Sequence, residues 1–465
     1  VHLRTIGFGG CLADDMGLGK TVQTLAYVLH VLERQRTDER APFLLICPTS
    51  VLDNWRNECK TFAPTLKLYV HHGQSRLDER KAYVLREYDI VMTTYQSALR
   101  DVALLKTIAW NGLILDEAQQ IKNVATKQRR AIKTLRALHR IALTGTPIEN
   151  DLRELWSIMD VLNPTFLGTY EQFQKNFIIP IEKDRDQTAL QKLQTLIHPF
   201  ILRRKKSDRS LQLPLPKKNE TIHRVHLSLE QAALYQAVVD EIRTHIEVVS
   251  HLERRAFILK SLTKLKQICN HPAHYLKAAS VDRYESGKWK KLLEITDEIV
   301  RKKEKALIFT QYKEMGTLMA RALARRYRCE IPFLHGSLTR KKRQQLIEMF
   351  QNEASLPIFI LSLKAGGVGL NLTVATNVIH YDRWWNPAVE NQATDRVYRI
   401  GQTKDVHVHK LITVGTLEER IDALLERKQK LADDILMTDA NRLTELTDEE
   451  LFSLIRLSSG KDGKS

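Results

Sequence analysis

At 465 residues the chain exceeds one ordinary core, and at roughly 100 to 200 residues per domain it divides into two to four. Lysine and arginine number 72 against 55 aspartates and glutamates, a formal net charge of +17, and a globular chain this basic commonly meets a polyanion, nucleic acid ahead of an anionic membrane surface. No apolar run approaches the ~20 residues that span a bilayer, and the five scattered cysteines form no C-x-x-C pair, which argues against membrane-spanning and disulfide-stapled classes and for a soluble, intracellular protein.

The first informative stretch is Cys11-Leu-Ala-Asp-Asp-Met-Gly-Leu-Gly-Lys-Thr21. A short apolar run behind Gly9 and Gly10 predicts a buried strand, and apolar residues at Val22, Leu25, Ala26, Leu29 and Leu32 predict a helix from Thr21 to Gln35. Between them, Asp14, Asp15, Met16, Gly17, Leu18, Gly19, Lys20 and Thr21 form a candidate phosphate loop. Glycines let backbone N–H groups approach phosphate oxygens, the helix N-terminus adds a positive dipole end, Lys20 supplies charge and the Thr21 hydroxyl suits Mg²⁺. The general pattern has glycine six residues before the lysine, where this chain has Asp14. In isolation, Gly-Leu-Gly-Lys-Thr is also compatible with an ordinary turn before a surface helix.

Phe43–Cys47, Asp89–Thr93, Gly112–Leu115 and Arg140–Leu143 then alternate with helical patterns, which predicts a parallel sheet covered on both faces. Ligands bind beyond the carboxyl ends of such strands. Polar signatures stand there: Pro48-Thr49-Ser50, Thr93-Thr94-Tyr95, Asp116-Glu117-Ala118-Gln119 and Thr144-Gly145-Thr146-Pro147. In P-loop chemistry one acid binds Mg²⁺ and a neighbouring group positions the attacking water, which assigns Asp116 to the metal and Glu117 to the water.

Helical patterns over Leu152–Leu162, Tyr170–Phe177 and Ala189–Ile197 end in the basic run Arg203–Lys206, and Leu213-Pro-Leu-Pro-Lys-Lys218 has the proline content of a linker. A second helical region runs from Ser228 to about Lys277. Near its end Cys269, His271 and His274 lie close together, but no second cluster completes a metal site, which favours packing at a helix end. Strands are then expected at Ala306–Phe309, Ile331–Leu334, Ile358–Leu361, Asn377–Tyr381 and Val406–Ile412, so two similar α/β halves are implied.

In the second half, Lys364 to Leu372 is glycine-rich but lacks a Lys-Ser/Thr ending, so Gly367 and Gly369 suit contacts to nucleic-acid phosphates or a shared ATP rather than a second ATP site. Gln392 to Gln402 puts Arg396 and Arg399 three residues apart, on one face of a predicted helix that also carries Gln392. An arginine aimed at a transferring phosphoryl contributes roughly 10³ to 10⁵ in rate, which makes these two the finger candidates. The basic runs at 203–206, 301–305 and 340–343 are each compatible with solvated faces, and together with the net charge they fit backbone-dominated nucleic-acid binding. Trp384 and Trp385 fit either a core or a groove. The tail from Leu417 to Leu457 has a charged helical pattern, and disorder is expected from Ser458.

Assembled, these residues resemble the ATPase motor of the SWI/SNF family of chromatin remodellers and their prokaryotic relatives, within helicase superfamily two. The resemblance rests on Leu12 to Thr21, Cys47-Pro-Thr-Ser-Val-Leu-Asp-Asn-Trp55, Asp116 to Gln119 with Ile121-Lys-Asn123, Leu143 to Asn150, Gln267-Ile-Cys-Asn-His-Pro272, Ser362 to Leu372, Trp384-Trp-Asn-Pro387 and Gln392 to Gln402. The family's own phosphate loop also carries aspartate at the place of Asp14. The resemblance implies two RecA-like lobes, helical insertions, a C-terminal helical brace, and ATP bound between the lobes. It also implies DNA-stimulated hydrolysis that moves the motor along duplex DNA without separating strands.

On that reading, 1–205 is lobe 1, 206–225 a linker, 226–280 a helical insertion, 281–430 lobe 2, and 431–465 the brace helix with a disordered tail. Lys20, Asp116, Glu117, Gln392, Arg396 and Arg399 are the catalytic candidates, with Thr21 and Asp116 on Mg²⁺. Pro48, Thr49, Ser50, Thr94, Thr146, Lys364 and Trp385 fall in segments that contact or couple to DNA. Expected partners are double-stranded DNA and a DNA-bound protein such as a nucleosome-like particle, RNA polymerase or a repair factor, with no membrane. A prokaryotic, nucleoid-associated setting is expected ahead of a nuclear one. The family begins with a Leu-Arg-Pro-Tyr-Gln segment that reads adenine, whereas only Leu3-Arg4-Thr5-Ile6 precedes the loop here, so the chain is expected to be a piece of a longer protein.

Overall fold

The computed structural model describes residues 1–35, 41–145, 152–206, 208–211, 215–246, 251–363, 370, 372–385, 387–423 and 448–457. The chain divides into two compact units, Val1–Leu213 and Pro214–Ser465. Thr146, Lys364, Gly367, Gly369 and most of the expected brace lie outside the described residues.

The first unit is built on seven parallel strands: β1 (Gly10–Leu12), β2 (Phe43–Cys47), β3 (Leu68–His71), β4 (Ile90–Thr94), β5 (Gly112–Asp116), β6 (Arg140–Leu143) and β7 (Ile201–Leu202). Their order is β3-β4-β2-β5-β6-β1-β7. Every residue of β2 and β4 is buried, as an apolar run covered by helices on both faces requires. The helix Lys20–Glu33 lays Thr24, Leu25, Val28, Val31 and Leu32 against this core, the stripe expected of one helical face. Helix Leu152–Leu162 packs closely on the sheet because Gly9 leaves room for it. A Cβ there would stand 2.8 Å from the carbonyl oxygens of both Arg140 and Leu162. Asn163 completes the junction, its Oδ1 accepting from Gly9 N at 2.7 Å.

The second unit carries six parallel strands: β8 (Lys218–Val225), β9 (Ala306–Thr310), β10 (Phe333–Leu334), β11 (Ile358–Ser362), β12 (Asn377–His380) and β13 (Val406–Thr413). Their order is β10-β11-β9-β12-β13-β8. The segment expected to be linker thus contains an edge strand, β8, paired along its full length with β13. Helices Leu229–Ile246 and His251–Asn270 pack on each other through Tyr235, Val238, Val239 and Ile242 against Ile258, Leu262, Leu265 and Ile268. A fully buried ion pair ties the region beyond them to the sheet. Lys288 Nζ donates to Glu418 Oε1 at 2.6 Å and Glu418 Oε2 accepts from Thr413 N at 3.1 Å.

Two further sequence expectations meet the structure here. Helix Pro387–Thr394 stops before Arg396, so the two arginines lie in the turns that follow rather than on one helical face. The Thr394 side chain bonds the buried His380 imidazole at 2.9 Å, and the Arg396 carbonyl accepts from Leu372 N at 3.0 Å, which draws the chain out of helical register. Cys269, His271 and His274 do pack at a helix end: His271 Nδ1 accepts from Ala273 N at 3.1 Å, and the His274 ring meets Tyr312. Among the described residues, no group of three His, Cys, Asp or Glu could hold a metal ion, and no helix is long and apolar enough to cross a membrane.

Candidate active site

Strand order assembles the site of the first unit. β5, β6 and β1 are neighbours, so the segments leaving their carboxyl ends stand side by side: Asp116-Glu117, Thr144 and the phosphate loop. Gly17 and Gly19 take φ of 83° and 74°, left-handed values that a side chain would strain, and helix Lys20–Glu33 starts immediately after. Lys20 Nζ donates to the carbonyl oxygens of Asp14 at 2.6 Å and Asp15 at 3.3 Å, which holds the ammonium over the loop.

Asp14, at the place where the general pattern has glycine, does not have a positive φ. Its carboxylate is fully buried and accepts hydrogen bonds from Arg204 and Gln23. Asp15 Oδ2 accepts from Lys206 N at 2.9 Å. The run Arg203–Lys206 is therefore not simply a solvated face, because it lies along the phosphate loop.

At the end of β5 the Asp116 carboxylate is held by two donors, Trp55 Nε1 to Oδ2 at 2.7 Å and Glu117 N to Oδ1 at 2.9 Å. Tyr95 fixes the same residue from the backbone side, its hydroxyl donating to Asp116 O at 2.8 Å. Burial, followed by the adjacent Glu117 charge, pushes the Asp116 carboxyl up to about 7, against the pull of the Trp55 and Glu117 hydrogen bonds. Glu117 sits at φ 52°, ψ 55°, a left-handed conformation worth about 1–3 kcal/mol of strain in a non-glycine residue. Gln119 Nε2 donates to Glu117 Oε2 at 2.7 Å, and the Thr144 hydroxyl donates to Gln119 Oε1 at 3.1 Å. A chain of side chains therefore runs from the end of β6 to the Glu117 carboxylate. Two acids, a phosphate loop with its lysine, and a threonine hydroxyl are the donor set of nucleoside-triphosphate hydrolysis.

Compared with known families, residues 1–274 match the SNF2-related domain and residues 287–401 the helicase conserved C-terminal domain. The chain belongs to the SNF2-related family. It is 51% identical over 463 residues to YwqA of Bacillus subtilis, provisionally named an ATP-dependent helicase/translocase, covering 99% of this chain and 50% of that protein. It is 33% identical to the TATA-binding protein-associated factor MOT1 of Saccharomyces cerevisiae, covering 96% of this chain and 27% of that one. This SNF2-related chain thus spans half or less of the length of these curated relatives. A solved Sulfolobus solfataricus SWI2/SNF2 ATPase core in complex with dsDNA is 46% identical and covers 98% of this chain and 95% of that one, with a TM-score of 0.48.

The remaining sequence candidates of this SNF2-related chain fall in different surroundings. Pro48, Thr49 and Ser50 leave the carboxyl end of β2 as the start of a short 3₁₀ turn, with Thr49 and Ser50 exposed. Thr94 is buried, and its hydroxyl caps helix Tyr95–Arg100 by accepting from Ser97 N at 3.2 Å. In the second unit Gln392 lies on helix Pro387–Thr394, Arg396 is buried and Arg399 is half-buried. Trp385 packs beside the helical pair of that unit, under the Lys266 ammonium at 5.0 Å from its ring. Three residues that join this site, Trp55, Tyr95 and Gln23, had no role assigned from sequence, and a fourth, Arg204, stood there only as part of a basic run. Each lies inside or next to a recognised motif, but a tryptophan or glutamine on an amphipathic helix carries no periodic signal of its own.

Proposed function

We propose that this chain is the ATP-hydrolysing motor of a protein that translocates on double-stranded DNA. The observation that carries the reading is the alignment of the phosphate loop, Thr144 and Asp116-Glu117 on one edge of one sheet. Membership of the SNF2-related family and a net charge of +17 support DNA as the track. Backbone N–H groups of the loop and Lys20 bind the phosphates, and Glu117, aimed through Gln119 and Thr144, orients the attacking water. A carboxylate at a strand end and a threonine hydroxyl at the start of the helix after the loop fit Mg²⁺, which is held by one or two protein ligands together with substrate phosphates and neutralises developing charge when bound. Thr21 and Asp116 are the residues that would hold it. Arg396 and Arg399 serve as arginine fingers, Gln392 assists them, and Pro48 to Ser50 contact the DNA backbone.

The test is phosphate release from ATP with and without duplex DNA. Stimulation by duplex together with displacement of a third strand from a triplex supports the reading. Efficient unwinding of a forked duplex would replace it with a strand-separating helicase. Absence of stimulation in the full-length protein would favour a DNA-binding scaffold.

A further inference from the structure

The buried Asp14 carboxylate and its partners do more than fill a core. Oδ1 accepts from Arg204 N and Nε, both at 3.0 Å, and Oδ2 accepts from Arg204 Nε at 3.1 Å, from its Nη2, and from Gln23 Nε2 at 3.3 Å. Gln23 closes a ring: its Oε1 accepts from Arg204 Nη2, and its Nε2 also donates to Leu18 O at 2.9 Å. Backbone bonds run alongside, with Ala13 N donating to Leu202 O at 2.7 Å and Asp15 N to Arg204 O at 3.0 Å. The two strands of this clasp are 190 residues apart in sequence. The carbonyl of the same Asp14 accepts from Lys20 Nζ at 2.6 Å. One residue therefore holds the phosphate-binding lysine with its backbone and an arginine from the far end of the unit with its side chain.

We propose that Arg204 is a positioning residue of the nucleotide site: acting through Asp14 and Gln23, it sets the path of the phosphate loop and with it the affinity for a nucleoside di- or triphosphate. This rests on the reading of the loop as a nucleotide site. Because the Asp14 charge is buried, losing the guanidinium leaves it unpaired, and residues 13–18 must move to rehydrate it. The aspartate is then not a weakened glycine position but the anchor that replaces glycine's freedom. Restoring the general pattern with Asp14→Gly is expected to weaken nucleotide binding.

The experiment measures binding of a fluorescent ADP analogue, in the presence of EDTA, to the wild type and to Asp14→Asn, Asp14→Gly, Arg204→Lys, the double Asp14→Asn/Arg204→Lys, and Lys20→Ala. Each is assayed well below its own unfolding midpoint. Asp14→Asn and Arg204→Lys are each expected to raise the Kd by about tenfold or more, and the double variant by no more than the larger single effect, since both break the same clasp. The conservative Arg204→Lys keeps the charge and loses only the two-pronged fit, so it remains informative if Asp14→Gly does not fold. Lowered unfolding midpoints with unchanged Kd would overturn the proposal by making the clasp purely structural. Tighter binding in Asp14→Asn would overturn it by showing that the released guanidinium touches phosphate directly. If the wild type and Lys20→Ala fail alike to bind nucleotide, the site reading itself falls, and the proposal with it.

Discussion

Trp55→Phe isolates one hydrogen bond at the proposed metal ligand. The indole N–H donates to Asp116 Oδ2 at 2.7 Å from a side chain only 2% exposed, so phenylalanine keeps much of the packing and removes the donor. A hydrogen bond to a charged group contributes about 1.5–3 kcal/mol, and one pKa unit corresponds to about 1.4 kcal/mol. Asp116 is already lifted to about 7 by burial and the Glu117 charge. Without the indole its pKa rises by a further one to two, roughly. The sign follows from the chemistry: the carboxylate must be deprotonated to bind Mg²⁺, so activity rises with pH through this pKa. Phosphate release is measured from about pH 6 to 9 at several Mg²⁺ concentrations. The acid limb of the variant is expected to lie at least about one pH unit above that of the wild type. Near neutrality the variant is about tenfold slower at limiting Mg²⁺, and it recovers toward high pH. An acid limb that superimposes on the wild type beneath a lower plateau would refute the reasoning and leave Trp55 as a packing residue.

Glu117→Gln is expected to bind ATP with near-normal affinity while turnover falls by at least about a hundredfold, since the amide lacks the charged acceptor that orients the attacking water; comparing ATP binding with single-turnover hydrolysis checks this. Arg399→Ala is expected to lower the hydrolysis rate more than the nucleotide affinity, because a finger acts mainly in the transition state; equal losses in both would point to ground-state binding instead. Lys288→Met leaves the Glu418 carboxylate buried without its cation and is expected to destabilise by about 3–5 kcal/mol in denaturant unfolding. Adding Glu418→Gln, which keeps an acceptor for Thr413 N, should recover most of that loss.

Most central strands were legible because each is a short apolar run followed by a polar signature, and β2 and β6 begin and end where the pattern put them. The missed strands lack that contrast. β3 is a half-buried edge, β7 has two residues, and β8 reads Lys-Asn-Glu-Thr-Ile-His-Arg-Val, with its first five residues exposed. The candidate site was legible to the extent that it resides in motifs, as with Lys20, Asp116 and Glu117, whose segments strand order brings side by side. What the motifs omit is the layer that aims them. Arg204 bears on the loop only because β7 pairs with β1 and brings the following residues alongside it. Trp55 bears on Asp116 only because β2 and β5 are adjacent. Such relations depend on strand order, and no window of sequence contains them.

The lateral position of β8 has a consequence for biosynthesis. Its ladder partner is β13, and the Lys410–Glu220 side-chain bond that bridges the two strands joins residues 190 apart in sequence. At ribosomal rates of about 5–20 residues per second, β8 leaves the tunnel roughly 10 to 40 seconds before its neighbour exists. For that interval it is an unpaired strand of eight residues, the kind of segment that seeds association between nascent chains. Lys218, Glu220 and Arg224 alternate along one side of it, and only Ile222 and Val225 are aliphatic. The same charges that conceal this strand from a hydrophobic scan make it a poor nucleus for aggregation until β13 is synthesised.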